Sequence, residues 1–207
     1  MSTRDNVSAA ASAASERIAA LEARIAALEA ENQLLQHQAI TDDLTGTYNR
    51  RGFMISLAQE WRRCTRRQEP TSLILVDIDH FRRYNDQKGR AGGDMLLRHL
   101  AKTFIAISKR AGDSIARYGG DGFACLLPDT DSEGAASLAS VMRVQANHAG
   151  VSVSGGIATI VPHLDQAPEL LLEAAETALH FAKAQGGNRE VIVFVDESNT
   201  IAPLEQP

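Results

Sequence analysis

The chain has little cysteine, no long apolar run and no excess of positive charge. Its two cysteines, Cys64 and Cys125, lie far apart and match no metal-site spacing. Both are expected to be reduced residues of an intracellular protein. No apolar run approaches a bilayer span and the N-terminal stretch lacks an apolar signal core, so a cytoplasmic protein without membrane contact is expected. The formal net charge is −5, which removes the electrostatic case for a nucleic-acid partner. Arg62, Arg63, Arg66 and Arg67 read as a solvated helix face rather than a phosphate track.

What is present is enough for one domain and an accessory element: 207 residues, 44% of them hydrophobic. Residues 1–14 are small and polar and are expected to be disordered. From Ser15 the pattern becomes SERIAALEARIAALEAENQLLQHQ, a heptad seam. Ile18, Ile25 and Asn32 fall at a; Leu21, Leu28 and Leu35 fall at d. Ile at a with Leu at d favours two parallel strands, and a buried Asn pair sets register. Arg17 and Arg24 at g face Glu22 and Glu29 at e of a partner. The other reading, an amphipathic helix on its own domain, fits less well because the apolar stripe is narrow. About three heptads make isolated pairing marginal, so the globular part should help hold a parallel homodimer through 15–39.

The remainder divides into a globular part at 40–196 and a tail at 197–207. A helix is expected from Arg51 to Arg67, ended by Pro70, and SLILVDIDHF (72–81) reads as a buried strand ending in acids. Residues 92–108 have helical spacing. SIARYGGDGFACLLP (114–128) reads as a hairpin closed at Gly-Gly-Asp-Gly. A helix at 132–147, a strand at 151–161, a helix at 168–185 and a strand at 190–195 follow. This order fits an α/β (α+β) fold with a mostly antiparallel sheet and helices on one face.

Asp77 and Asp79 end a strand, and Asp121 sits in a hairpin turn. Two readings stand side by side. Carboxylates at adjacent strand ends suit a hard cation such as Mg²⁺, and a glycine-rich turn offers backbone N–H groups to an anion, together the equipment for a nucleoside triphosphate. Alternatively the acids are solvated caps and the glycines only close the turn.

The stretches DDLTGTYNRRGF, DIDHFRRYNDQKGRAGGDMLL, RAGDSIARYGGDGF and AKAQGGNREVIVF resemble, in order and spacing, the successive motifs of the GGDEF family of diguanylate cyclases. The resemblance implies a fold like the adenylate cyclase catalytic domain and the polymerase palm, and a dimer whose active members condense two GTP into cyclic di-GMP. Carried over by position, Asp77, Asp121 and the backbone carbonyl of Ile78 would hold Mg²⁺ or Mn²⁺. Gly119 and Gly120 would let the chain approach the nucleotide. Asn85 and Asp94 would read guanine and Lys183 would reach the phosphates. Arg82 stands where a lysine is usual, keeping the charge but not the geometry. Arg110 and Asp113 match the RxxD inhibitory site for cyclic di-GMP. Gly122 stands where the signature has an acid assigned to the attacking ribose hydroxyl, so the signature is degenerate. Gly187 replaces a frequent arginine.

These assignments imply a cyclic di-GMP signalling protein that binds its ligand at RxxD and GTP at the former active site, with weak or absent cyclase activity. The alternatives are an active cyclase with product inhibition and a coiled-coil scaffold with relic sites. No residue pattern names an upstream or downstream protein partner.

Overall fold

The structure is a computed structural model that describes residues 17, 21–28, 31, 39–108, 110, 112–195 and 201–203. Two compact units result, 1–39 and 40–207. In the first, α1 covers residues 21–28, and Arg17 and Glu31 are also helical. Its Leu21, Ile25 and Leu28 are 54%, 54% and 47% exposed, a row of apolar side chains that this chain alone leaves in water. The heptad positions Ile18, Glu29, Asn32 and Leu35, and the expected disorder of 1–14, lie outside the described residues.

The second unit runs α2 (Arg50–Arg67), β1 (Thr71–Ile78), α3 (Phe81–Ile107), β2 (Ser114–Arg117), β3 (Gly122–Pro128), α4 (Ser132–His148), β4 (Val153–Ile160), α5 (Glu169–Ala184), β5 (Glu190–Val195) and β6 (Ile201–Pro203). The strands form one sheet in the order β2-β3-β1-β4-β5-β6, antiparallel throughout except for the parallel β4–β5 pair. β6 belongs to the stretch expected to be tail; residues 197–200 and 204–207 of that stretch lie outside the described residues.

Helices cover both faces of the sheet, not one as expected. The reason is visible in β1, whose apolar run is buried almost without interruption. A strand buried on both faces needs cover on both. Because side chains alternate along a strand, Ile74, Val76 and Ile78 join one core with α3 and α4, while Leu73 and Leu75 join a second core with α2 and α5.

Local chemistry sets the element ends. The Asn49 side chain accepts from the Gly52 amide to cap α2, and Asp131 caps α4 through the Gly134 amide. His80, with φ 55°, turns the chain from β1 into α3. α3 contains a break the spacing did not reveal: residues 81–88 are also helical, and Gly89 at φ 74° joins that segment to the expected helix.

α5 lies unusually close to β4. Its inward face is Ala174, Ala175, Ala178 and Ala182, all fully buried. A Cβ at Gly156 of β4 would overlap the Leu179 amide and the Ala175 carbonyl, and would lie 2.7 Å from the Leu179 Cα. Those are backbone atoms that no rotamer change can move. Gly156→Ala is therefore expected to destabilise the domain by about 1–3 kcal/mol, as overpacking does. Urea unfolding measures this, and an unchanged midpoint would mean that α5 is free to move outward.

Candidate functional site

The site is built where β1 leaves the core. Asp77 is the penultimate residue of β1 and pairs in register with Gly122, the first residue of β3. The Ile78 amide donates to the Asp121 carbonyl at 3.3 Å, which ties the hairpin turn to the end of β1. Lys183, in the last turn of α5, places Nζ 3.0 Å from Asp77 Oδ1. Close packing of α5 is what brings this lysine within reach. Burial pushes the Asp77 carboxyl above its ordinary range; the Lys183 hydrogen bond pulls it back, and the charges of Asp121 and Asp79 push it up again. A half-buried carboxylate with two acidic neighbours and one ammonium is an under-neutralised site, and a hard divalent cation suits it. The donors fit such an ion: two carboxylates and a main-chain carbonyl would leave its other positions to water and phosphate oxygens.

Asp79 does something else. Its carboxylate accepts from Ser154 Oγ at 2.6 Å and from the Asn188 amide at 2.9 Å, so both oxygens are engaged by the protein. The acids grouped together in the sequence separate in the structure: Asp77 pairs with Lys183 beside Asp121, while both oxygens of Asp79 are taken by Ser154 and the Asn188 amide.

The glycine turn has an internal prop that residue order did not suggest. Arg117 donates to the Gly120 carbonyl through Nη2 at 2.6 Å and through Nε at 3.2 Å. The same guanidinium pairs with Asp42 at 3.3 Å, and Asp42 is itself held by Thr45. Nothing in the spacing of Asp42 and Arg117 signals this contact, because 75 residues separate them. Gly119 and Gly120 are exposed, and a Cβ at either would meet nothing within 4 Å. The fold itself does not require glycine there. Gly122 is different: a Cβ would face Asp77 Oδ2 at 3.7 Å and Val76 O at 3.5 Å, ordinary contact distances. A side chain at 122 would fit, directed at the carboxylate of β1.

The kink of α3 serves Asn85 and Asp94, which come from its two segments. Asn85 Oδ1 is buried without a hydrogen-bond partner, and a Cβ at Gly93 would overlap it. A buried orphan acceptor costs about 1–3 kcal/mol and calls for a donor from elsewhere, which a guanine N–H could supply. Asp94 is half-buried in the second segment, while Arg82 is exposed in the first turn of α3, with no ion pair to a described residue.

Arg110 and Asp113 lie at the other end of the β2–β3 hairpin, near Pro128, which pairs with Thr71. That end is roughly 20 Å from Asp77 along β1 at 3.3 Å per residue. The Arg110 amide donates to Asp113 Oδ2 at 3.1 Å, and the Asp113 amide donates to the Arg110 carbonyl at 3.0 Å. The guanidinium reaches the Asp129 carbonyl at 3.1 Å and Thr130 Oγ1 at 2.9 Å. Asp113 Oδ1 is buried without a partner, and burial pushes this carboxyl up against the opposing pull of the Arg110 amide and charge. Two cavities adjoin the pair. One of about 600 Å³ is lined by Glu60, Arg63, Arg110, Gly112, Pro128 and Asp129. One of about 220 Å³ is lined by apolar residues together with Arg110, Asp113 and Thr130.

A family model described as diguanylate cyclase, GGDEF domain, matches residues 39–189. The chain is 33% identical over 168 residues to a probable diguanylate cyclase, DgcC, of Escherichia coli, covering 75% of this chain and 43% of that protein. It is 35% identical over 164 residues to the response regulator PleD of Caulobacter vibrioides, covering 74% and 36%. It thus spans less than half the length of these curated relatives. Among solved structures, the coiled coil and GGDEF domain of DgcB from Caulobacter crescentus, in complex with c-di-GMP, superposes with a TM-score of 0.77 at 26% identity, covering 86% of this chain and 97% of that one. Among the described residues no helix is long and apolar enough to cross a membrane.

The raised Asp77 carboxyl has a consequence for stability. Its folded pKa lies above the unfolded one, so its favourable contribution is complete below the unfolded value and is lost as pH rises through the folded value. At pH 8 without divalent metal, Asp77→Asn is expected to raise Tm, read by thermal unfolding of the two proteins side by side. The gain should shrink below the ordinary carboxylate range. A lower Tm at pH 8 would mean that the pair with Lys183 outweighs burial and the acidic neighbours.

Proposed function

The chain belongs to the diguanylate cyclase GGDEF-domain family, and from that premise we propose that it is a cyclic di-GMP signalling protein that binds guanine nucleotide with weak or absent cyclase chemistry. Cyclic di-GMP is held at Arg110 and Asp113, and GTP at the former active site. Asp77, Asp121 and the carbonyl of Ile78 are the residues to hold Mg²⁺ or Mn²⁺, which when bound supplies positive charge to the triphosphate. Lys183 is turned toward the same group and reaches the phosphates. Asn85 and Asp94 accept from the guanine N–H groups, a pattern adenine does not match.

The observation that carries this reading is the Gly122–Asp77 pair. The missing acid belongs on a β carbon that would lie 3.7 Å from Asp77 Oδ2, so its loss removes a carboxylate from beside the metal-binding group and leaves the binding residues in place. Without it nothing at that point orients or deprotonates a ribose 3′-OH. Loss of a general base costs about 10²–10⁴-fold. The second reading, a working cyclase under product inhibition, is favoured by the intact set of Asp77, Asp121 and Lys183.

Turnover decides between them. After removal of co-purified nucleotide, the protein with GTP and Mg²⁺ is expected to form little or no cyclic di-GMP by chromatography, and Gly122→Glu to raise the rate by about 10²-fold. Rapid formation by the parent would overturn the degenerate reading. By calorimetry Arg110→Ala should weaken cyclic di-GMP binding by about tenfold or more, the loss of a charge-assisted contact. Equal binding, or none in the parent, would remove the RxxD assignment.

The assembly we propose is a parallel homodimer through 15–39. It is supported by the exposed Leu21, Ile25 and Leu28 and by the likeness to a structure that includes a coiled coil. Ile25→Asp with Leu28→Asp should give a monomer by light scattering, and a parent that is itself monomeric would end the heptad assignment.

A further inference from the structure

Asp79 and the loop after α5 form a cluster that the metal- and nucleotide-binding roles leave unused. One carboxylate oxygen takes the hydroxyl of Ser154, a fully buried residue of β4. The other takes the Asn188 amide. The Asp79 amide donates to the Ser152 carbonyl at 2.9 Å, so the residue is held from both sides. The loop it grips closes α5: the Gly186 amide donates to the Lys183 carbonyl and the Gly187 amide to the Ala182 carbonyl, each at 3.1 Å. A further bond from the Gly155 amide to the Arg189 carbonyl, at 2.8 Å, ties the loop to β4.

Gly187 completes the fit. It has φ 73°, and a Cβ there would lie 3.0–3.1 Å from the Asp79 carboxylate. Any side chain at 187 is thus opposed twice, by backbone conformation and by the group that holds the loop. The glycine at this position is part of the fit between loop and carboxylate, not merely an absent phosphate ligand.

We propose that Asp79 is a positioning residue, not a metal ligand: it latches the 186–188 loop to the end of β1 and so holds Lys183 at Asp77. The consequence for ligand binding rests on the nucleotide site proposed above; the latch itself does not. Both oxygens of Asp79 are committed to donors of the protein. Lys183 sits five residues before the Asn188 amide that Asp79 grips, with Nζ 3.0 Å from Asp77 Oδ1. Releasing the loop lets the C-terminal turn of α5 fray and the lysine leave.

Amide hydrogen exchange without ligand tests the latch directly. Asp79→Asn keeps the shape but cannot accept from both donors. It should speed exchange at Gly186, Gly187 and Asn188 by about tenfold or more, a loss expected for a hydrogen bond to a charged group. Gly187→Arg should do the same, and Ser154→Ala provides a milder variant should the others fold poorly. Unchanged exchange in the folded variants would overturn the latch, whatever the protein binds. The positioning role is read from affinity for a non-hydrolysable GTP analogue with Mg²⁺ in a double-mutant cycle. Asp79→Asn should weaken binding by about tenfold in the parent and by less than about twofold in Lys183→Ala, because the effect passes through that lysine. An undiminished loss in the Lys183→Ala background, with weakened binding of Mg²⁺ alone, would make Asp79 a ligand and reject the proposal. If the parent binds no analogue, the nucleotide site is what fails, and exchange still decides the latch.

Discussion

The structure turns on one carboxylate carried out of the core by its central strand. Asp77 follows four consecutive buried apolar residues, Leu73 to Val76, and cannot choose its surroundings: the strand delivers it, half-buried, beside Asp121. Partial desolvation disfavours its charge, and the acidic neighbours add to that cost. The fold meets the demand with Lys183, and it can do so only because alanines and Gly156 let α5 lie against β4. The small residues of that interface are therefore as necessary to the site as the charged ones.

β1 also separates the two sites. Asp77 stands at one end and Thr71, opposite Pro128 and next to the Arg110–Asp113 turn, at the other. The hairpin β2–β3 reaches both. In the proposed function, the same hairpin carries the signature turn at one tip and opens from the RxxD turn at the other. A ligand at Arg110 would have to compete with the Asp129 carbonyl and Thr130 Oγ1 for the guanidinium, contacts that hold this arginine against the start of α4.

In the proposed function Gly122 and Gly187 both stand where the family motif would carry a functional side chain, yet their surroundings differ. At 122 there is room and ordinary backbone, so the position would accept an acid without rearrangement. At 187 the left-handed φ and the Asp79 carboxylate oppose any side chain. In the proposed function the first is a loss beside retained binding groups; the second is bound up with how the loop is held.

The order of the main elements was legible from hydrophobic period and turn residues: the apolar run of β1, the Gly-Gly-Asp-Gly hairpin and the alanine-rich α5 all announce themselves. The acids at 77 and 121, the asparagine at 85 and the RxxD pair could be named because local motifs carry them. The helical segment at 81–88 escaped, since its polar residues lack an apolar stripe, and so did the cover on both faces of the sheet. Local sequence determined which side chains stand at strand ends, turns and caps, because those depend on neighbours a few residues away. Only the tertiary structure decided which of them meet: Lys183 with Asp77, Arg117 with Asp42 and Gly120, Asp79 with Ser154 and Asn188. Most of these contacts span long stretches of chain, and the distance between such residues is set by how sheet and helices pack, which no local pattern encodes.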